Sequence, residues 1–189
     1  MTEITDIKDS LPGATRQFIL EWGNLGERWG LNRSVSQVHA LLYASRTPLA
    51  AEDIAESLGL ARSNVSNSLR DLQSWNLIRS VPVLGDRRTF YEAETDLWTL
   101  VARIAAGRKA RELDPAAVAL RDCVELARKD QKFDPVVERR LSEMLEFVER
   151  TSRWYEQMIA MPRSKLASLM KLGGGIARLI DRGGSKSRS

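Results

Sequence analysis

Arg62, Ser63, Asn64, Ser66, Asn67 and Arg70 fall within nine residues, interrupted by Val65 and Leu69, and no acid occurs before Asp71. Val65 and Leu69 are four apart and share one face of a helix, so they hold it to a core while the polar set faces away. Such a face offers hydrogen bonding rather than bond making. Asparagine pairs with an adenine edge, arginine with guanine or phosphate, and serine with phosphate. Ser63 has a second reading as the helix N-cap. Further on, Leu84-Gly85-Asp86-Arg87-Arg88 sets two guanidinium groups at a glycine-aspartate turn, within reach of a minor groove or flanking phosphates. Asp86 reads as shaping that turn or orienting Arg88. The partner these residues suit is double-stranded DNA.

No comparable set exists for catalysis. One cysteine, Cys123, and one histidine, His39, cannot supply a Cys/His zinc site. His39 reads as a packed structural residue and Cys123 as a small packing residue. The run LGGGIAR lacks the Lys-Ser/Thr ending of a phosphate loop and follows no strand. Neither an enzyme nor a cofactor is expected.

The positioning elements are mostly helical. Phe18, Trp22, Leu25 and Trp29 mark a helix over residues 14–29, ended by Gly30. Ser34 with Gln37 matches a capping box before the apolar face of Val35, Val38, Leu41 and Leu42. Residues 49–58 and 63–75 read as two short helices joined through Gly59, the helix-turn-helix pattern. Residues 77–83 and 89–93 are β-prone and flank Gly85-Asp86, which predicts a hairpin, with Pro82 marking an edge strand. Helices return over 96–112 and 115–132. From Val137, the residues Leu141, Met144, Val148, Tyr155 and Met158 form a seam with Thr151 as its polar member, and so long a seam calls for a partner helix. The expected fold is mainly α with a small β-hairpin wing. Its divisions are 1–33 (a dimerisation helix), 34–95 (the winged helix-turn-helix), 96–161 (C-terminal dimerisation helices) and 162–189 (a basic, partly mobile tail).

The net charge of +4 is less informative than its distribution. Seven of the 29 Lys/Arg but one of the 25 acids lie from Pro162 onward, so the body is slightly acidic. With no apolar run of roughly 20 residues and no signal-peptide plan at the N-terminus, a cytoplasmic protein without a membrane partner is expected.

The stretch from about residue 15 to 112 resembles the MarR superfamily, and more narrowly its GbsR-type branch. The resemblance is strongest at Glu21-Trp22-Gly23, Ser63-Asn64-Val65-Ser66, and Gly85-Asp86-Arg87-Arg88 leading to Tyr91-Glu92-Ala93. It implies a homodimer with interleaved terminal helices that binds a pseudo-palindromic operator and represses transcription. Phe18, Leu141, Met144, Val148 and Tyr155 are then the candidate dimer residues. Asp86 and Arg88 match the Asp-x-Arg wing pattern, which makes Arg88 the leading minor-groove residue. The branch also implies a small-molecule effector, a quaternary ammonium compound, which aromatic faces would cage. Trp22, Trp29 and Trp98 are the candidates, although Trp22 and Trp29 also fit a packed stripe. The alternative function is a winged helix used as a protein-interaction module, a role in which the basic wing and polar helix face are commonly lost.

Overall fold

Ile19 on α1 (Gly13–Arg28) and Val38, Leu41 and Leu42 on α2 (Arg33–Ala44) are buried and pack the two helices together. The crossing is close because α1 presents glycines. A Cβ on Gly26 would lie 1.9 Å from Ser36 Oγ, and one on Gly23 would lie 2.7 Å from Gln37 Cγ. The expected capping box at Ser34 and Gln37 does not form. Asn32 is the N-cap, its side chain accepting from the Ser34 backbone N–H at 2.8 Å, and Gln37 is wholly buried one turn into the helix. This computed structural model describes residues 11–130, 132–166 and 168. The chain divides between Ile104 and Ala105 into two compact units.

In the first unit, α3 (Ala51–Leu58) is followed by Gly59 in the left-handed region (φ 63°) and α4 (Arg62–Ser74). The helix expected to start at residue 49 starts at Ala51 instead. Leu49–Ala50 is a strand, β1, antiparallel to β3 (Phe90–Ala93), which also pairs with β2 (Ile78–Val81). The sheet is therefore three-stranded, in the order β1-β3-β2, rather than a lone hairpin. A two-residue strand carries no readable alternation. β2 is an edge strand, and Pro82 stands just past its end. Ile54 and Leu58 of α3, Val65, Leu69 and Leu72 of α4, Ile78 of β2 and Leu100 of α5 (Leu97–Arg108) complete one core with α1 and α2. Each such side chain contributes roughly 1.5–3 kcal/mol when fully buried. Asp96 caps α5 by accepting from the Thr99 backbone N–H at 2.7 Å.

The second unit is built on α6 (Asp114–Lys129) and α7 (Pro135–Ala160), with the π-helical turn Lys109–Leu113 leading into α6. Expected as separate from the helix before it, α6 follows α5 without a loop. Ala117, Val124 and Ala127 form the buried stripe of α6, and the ion pairs Arg128–Glu138 and Arg121–Glu149 show that α7 runs back along it. Lys109 is held by Asp114 at 2.8 Å and Glu156 at 3.0 Å. These carboxylates raise the Lys109 pKa, and the Lys109 ammonium lowers that of Asp114.

Two expectations change here. The single α7 seam splits, because Leu141, Val148 and Tyr155 are half-buried while Met144 is 55% exposed beside Phe147 at 70% and Trp154 at 54%. Cys123 is exposed rather than packed. The glycine run of the expected tail and its basic residues from Lys171 onward lie outside the described residues, as do residues 1–10, while Arg163 and Lys165 fall in a helical turn after Pro162.

Candidate nucleic-acid interface

α4 begins at Arg62, with Ala61 as its N-cap, so Ser63 sits inside the first turn and makes no side-chain cap. Val65, Ser68, Leu69 and Leu72 are buried and fix the helix to the core. Arg62, Ser63, Ser66, Asn67 and Arg70 are exposed, which is the division that the spacing predicts. Arg70 Nη1 donates to Asn67 Oδ1 at 3.5 Å, so these two form one polar group on the open face. Asn64 is turned differently. It is half-buried, and its Nδ2 donates to Ser34 Oγ at 3.0 Å, tying α4 to the start of α2.

The wing is a loop of residues 82–89 rather than a tight two-residue turn. The Asp86 backbone N–H donates to the Val83 carbonyl at 3.2 Å, with Gly85 at φ 86°. Asp86 shapes the loop and orients Arg88, as its sequence position suggests. Its carboxylate accepts from the Arg88 backbone N–H at 2.9 Å, from Nη2 at 2.9 Å and from Nε at 3.0 Å. Arg88 Nη1 also reaches Asp53 of α3 at 3.2 Å, and the guanidinium carbon lies 5.1 Å from the Phe90 ring centre. Hydrogen bonding to Arg88 holds the Asp86 carboxyl below its usual range, and the same contact raises the Arg88 pKa. Arg87, next to it, is exposed. The wing is thus pinned to α3 through Arg88, with Arg87 at its surface. Asp53 was not among the sequence candidates. Thirty-five residues separate it from Arg88, and no local pattern joins them.

The aromatic candidates do not share one environment. Trp22 is half-buried, its ring centre 5.6 Å from that of Phe18 and 6.5 Å from that of His39. Phe18 and His39 also lie 6.3 and 6.2 Å from Tyr43. Burial pushes the His39 pKa down to about 4, so it is the packed neutral residue expected. Trp29 is 58% exposed at the C-cap of α1, and Trp98 is half-buried on α5.

A core-seated helix with an exposed, acid-free polar face, preceded by a shorter helix and followed by a pinned basic hairpin, defines a winged helix-turn-helix protein. Residues 29–89 match the model of the MarR family. The chain is similar to the Bacillus subtilis (strain 168) HTH-type transcriptional repressor OpcR, 20% identical over 68% of this chain and 71% of the relative. It is also similar to the putative HTH-type transcriptional regulator YvaV of the same organism, 26% identical over 37% of this chain and 40% of that protein. A solved structure of a transcriptional regulator covers 77% of this chain and 95% of its own, at 21% identity and a TM-score of 0.61, and it shares the fold. These relatives are transcriptional regulators, not enzymes. No helix among the described residues is long and apolar enough to cross a membrane.

Proposed function

We propose that this chain is a dimeric, sequence-specific DNA-binding regulator that represses transcription from a pseudo-palindromic operator. The observation that carries this is the exposed face of α4, where Arg62, Ser63, Ser66, Asn67 and Arg70 stand free of acids over buried Val65 and Leu69. Arg87 adds a wing contact, while Asn64 and Arg88 hold the frame. The repressor among the relatives supports the negative sign of regulation. Two copies, reading half-sites about 34–36 Å apart, turn one small footprint into a specific one.

Fluorescence anisotropy with DNA from upstream of the protein's own gene, against a scrambled duplex over a salt series, tests this reading. Replacing Ser66, Asn67 and Arg70 together with alanine should bring operator affinity down to that for scrambled DNA. Unchanged discrimination would remove α4 from recognition. The GbsR-type reading adds a quaternary ammonium effector, met by Trp22 with Phe18 and Tyr43 or by Trp29 and Trp98. Choline added to the same assay should release the DNA, and millimolar choline without effect would dismiss that effector.

A further inference from the structure

The most exposed large apolar side chain among the described residues lies at the tip of the wing, where Leu84 stands wholly in solvent. Within the wing loop, Val83, Leu84, Gly85 and Asp86 form a β-turn closed by the hydrogen bond from the Asp86 N–H to the Val83 carbonyl. Gly85 takes the third position at φ 86°, where a type II turn needs a positive φ, and Leu84 takes the second. A Cβ built on Gly85 would meet no atom within 4 Å, so the tip projects into open space. The turn is braced from behind. Val83 is half-buried, and Asp86 grips Arg88, which in turn holds Asp53 of α3. A single exposed leucine is ordinary on a surface. A leucine projected from a braced turn, on the element that flanks a DNA-reading helix, is a preformed apolar wedge.

The same bracing sets the charge at the tip. The Asp86 carboxylate is neutralised by Arg88, and Arg87 brings an exposed guanidinium three residues from Leu84. A cation beside an apolar tip suits a groove walled by phosphates better than an apolar protein surface. We infer, resting on the operator-binding reading above, that Leu84 enters the minor groove beside the half-site and wedges open a base step, with Arg87 on a flanking phosphate. The duplex kinks where the leucine enters. Leucine can hydrogen-bond to no base edge, so what it reads is deformability: pyrimidine–purine steps such as TA and CA unstack at the least cost. The wing thereby adds a sequence preference beyond the bases that α4 touches.

The test uses the whole chain and the duplex from upstream of its own gene, in a set of copies that each carry 2-aminopurine in place of one adenine. This base brightens when it unstacks. The parent should brighten it at a pyrimidine–purine step flanking each half-site, and circular-permutation gel mobility should show a bend in the same complex. Leu84→Ala should abolish the brightening, reduce the bend and weaken binding roughly tenfold. The slope of log K against log salt should stay as in the parent, because no phosphate contact is lost. Leu84→Met should keep most of the brightening, whereas Leu84→Lys should lose it while steepening the slope. Leu84 is wholly exposed, so all three variants should melt like the parent. If Leu84→Ala binds, bends and brightens as the parent does, the wedge alone is overturned, α4 recognition stands, and Leu84 is left to a protein contact. Weaker binding by Leu84→Ala with neither brightening nor bend in the parent would also overturn the wedge, making Leu84 a groove contact only. A parent with no preference for this duplex over a scrambled one, and no brightening in either, would overturn the operator reading and the wedge together.

Discussion

Arg88 donates to Asp86 and Asp53 and lies over Phe90, whereas Arg87 is simply exposed beside it. The two arginines should therefore separate in a salt titration of DNA binding. Each phosphate neutralised adds about −0.9 to the slope of log K against log salt. Arg87→Ala should flatten the slope by that amount for every phosphate the guanidinium neutralises. Arg88→Ala should lower affinity by freeing the wing while leaving the slope near that of the parent, and Asp53→Ala should resemble it. If Arg88→Ala flattens the slope as much as Arg87→Ala does, Arg88 leaves its carboxylates to reach the DNA itself. His39 gives a second residue-level test. Its pKa is about 4 when folded against 6.5 when free, so between those values the unfolded chain binds a proton that the folded chain refuses. Stability is thus unaffected by this group above pH 6.5 and is lost as pH falls from 6.5 to 4, by about 3 kcal/mol. Urea denaturation of the parent and His39→Asn across that range should show a shallower pH dependence in the variant; equal dependence would assign the loss to other groups.

Where two elements cross, the same substitution can change sign. Gly→Ala in a helix interior ordinarily stabilises by about 0.5–1 kcal/mol. At Gly26 the new methyl would meet Ser36 Oγ at 1.9 Å and Ser36 Cβ at 2.7 Å, so α1 must move off α2. Overpacking of this kind costs about 1–3 kcal/mol, and Gly26→Ala should lower the melting temperature. Adding Ser36→Gly removes both clashing atoms and should recover part of the loss; simple additivity would mean that the clash is relieved elsewhere. Gln37 offers the opposite case. Its carboxamide is wholly buried with no hydrogen-bond partner among the described residues, so Gln37→Met should be neutral or stabilising in the same melt. These element-level features also mark how far the sequence could be read. Long periodic segments such as α2 and α4 showed their buried faces because spacing alone sets them. On α1, by contrast, the expected stripe of Phe18, Trp22 and Leu25 is only half-buried and Trp29 is exposed; the buried face is Ile19, Gly23 and Gly26, because glycines admit α2 there. The wing arginines were visible from composition at a turn. β1 was hidden because its pairing with β3 is non-local, and the Ser34–Gln37 motif misled because Asn32, two residues before Ser34, takes the cap. On α7 the apolar stripe was visible, but its division between α6 and solvent depends on which side α6 occupies.

That division decides how a whole second copy would dock. Leu141 and Val148 share a face with Glu138 and Glu149, which pair with Arg128 and Arg121 of α6, so they belong to the packing of the second unit. Met144, Phe147 and Trp154 lie on the other side, with Thr151 continuing a three-four spacing between them, and all three large side chains are more than half exposed. α7 has no fully buried residue, and in the proposed dimer the partner's α7 would cover this stripe. The two faces predict different failures. Phe147→Asp with Trp154→Asp should give a folded monomer, with the helical circular dichroism of the parent and an unchanged α4. Its affinity for a single half-site should persist while affinity for the full operator falls. Leu141→Asp should instead disturb the α6–α7 pair and lower helicity or solubility before it changes association. Sedimentation velocity at several concentrations reads the mass of each variant. A parent that sediments as a monomer would dispose of the dimer, and a double variant that stays dimeric with full operator affinity would move the interface from α7 to another surface, Phe18 on α1 being the first to examine.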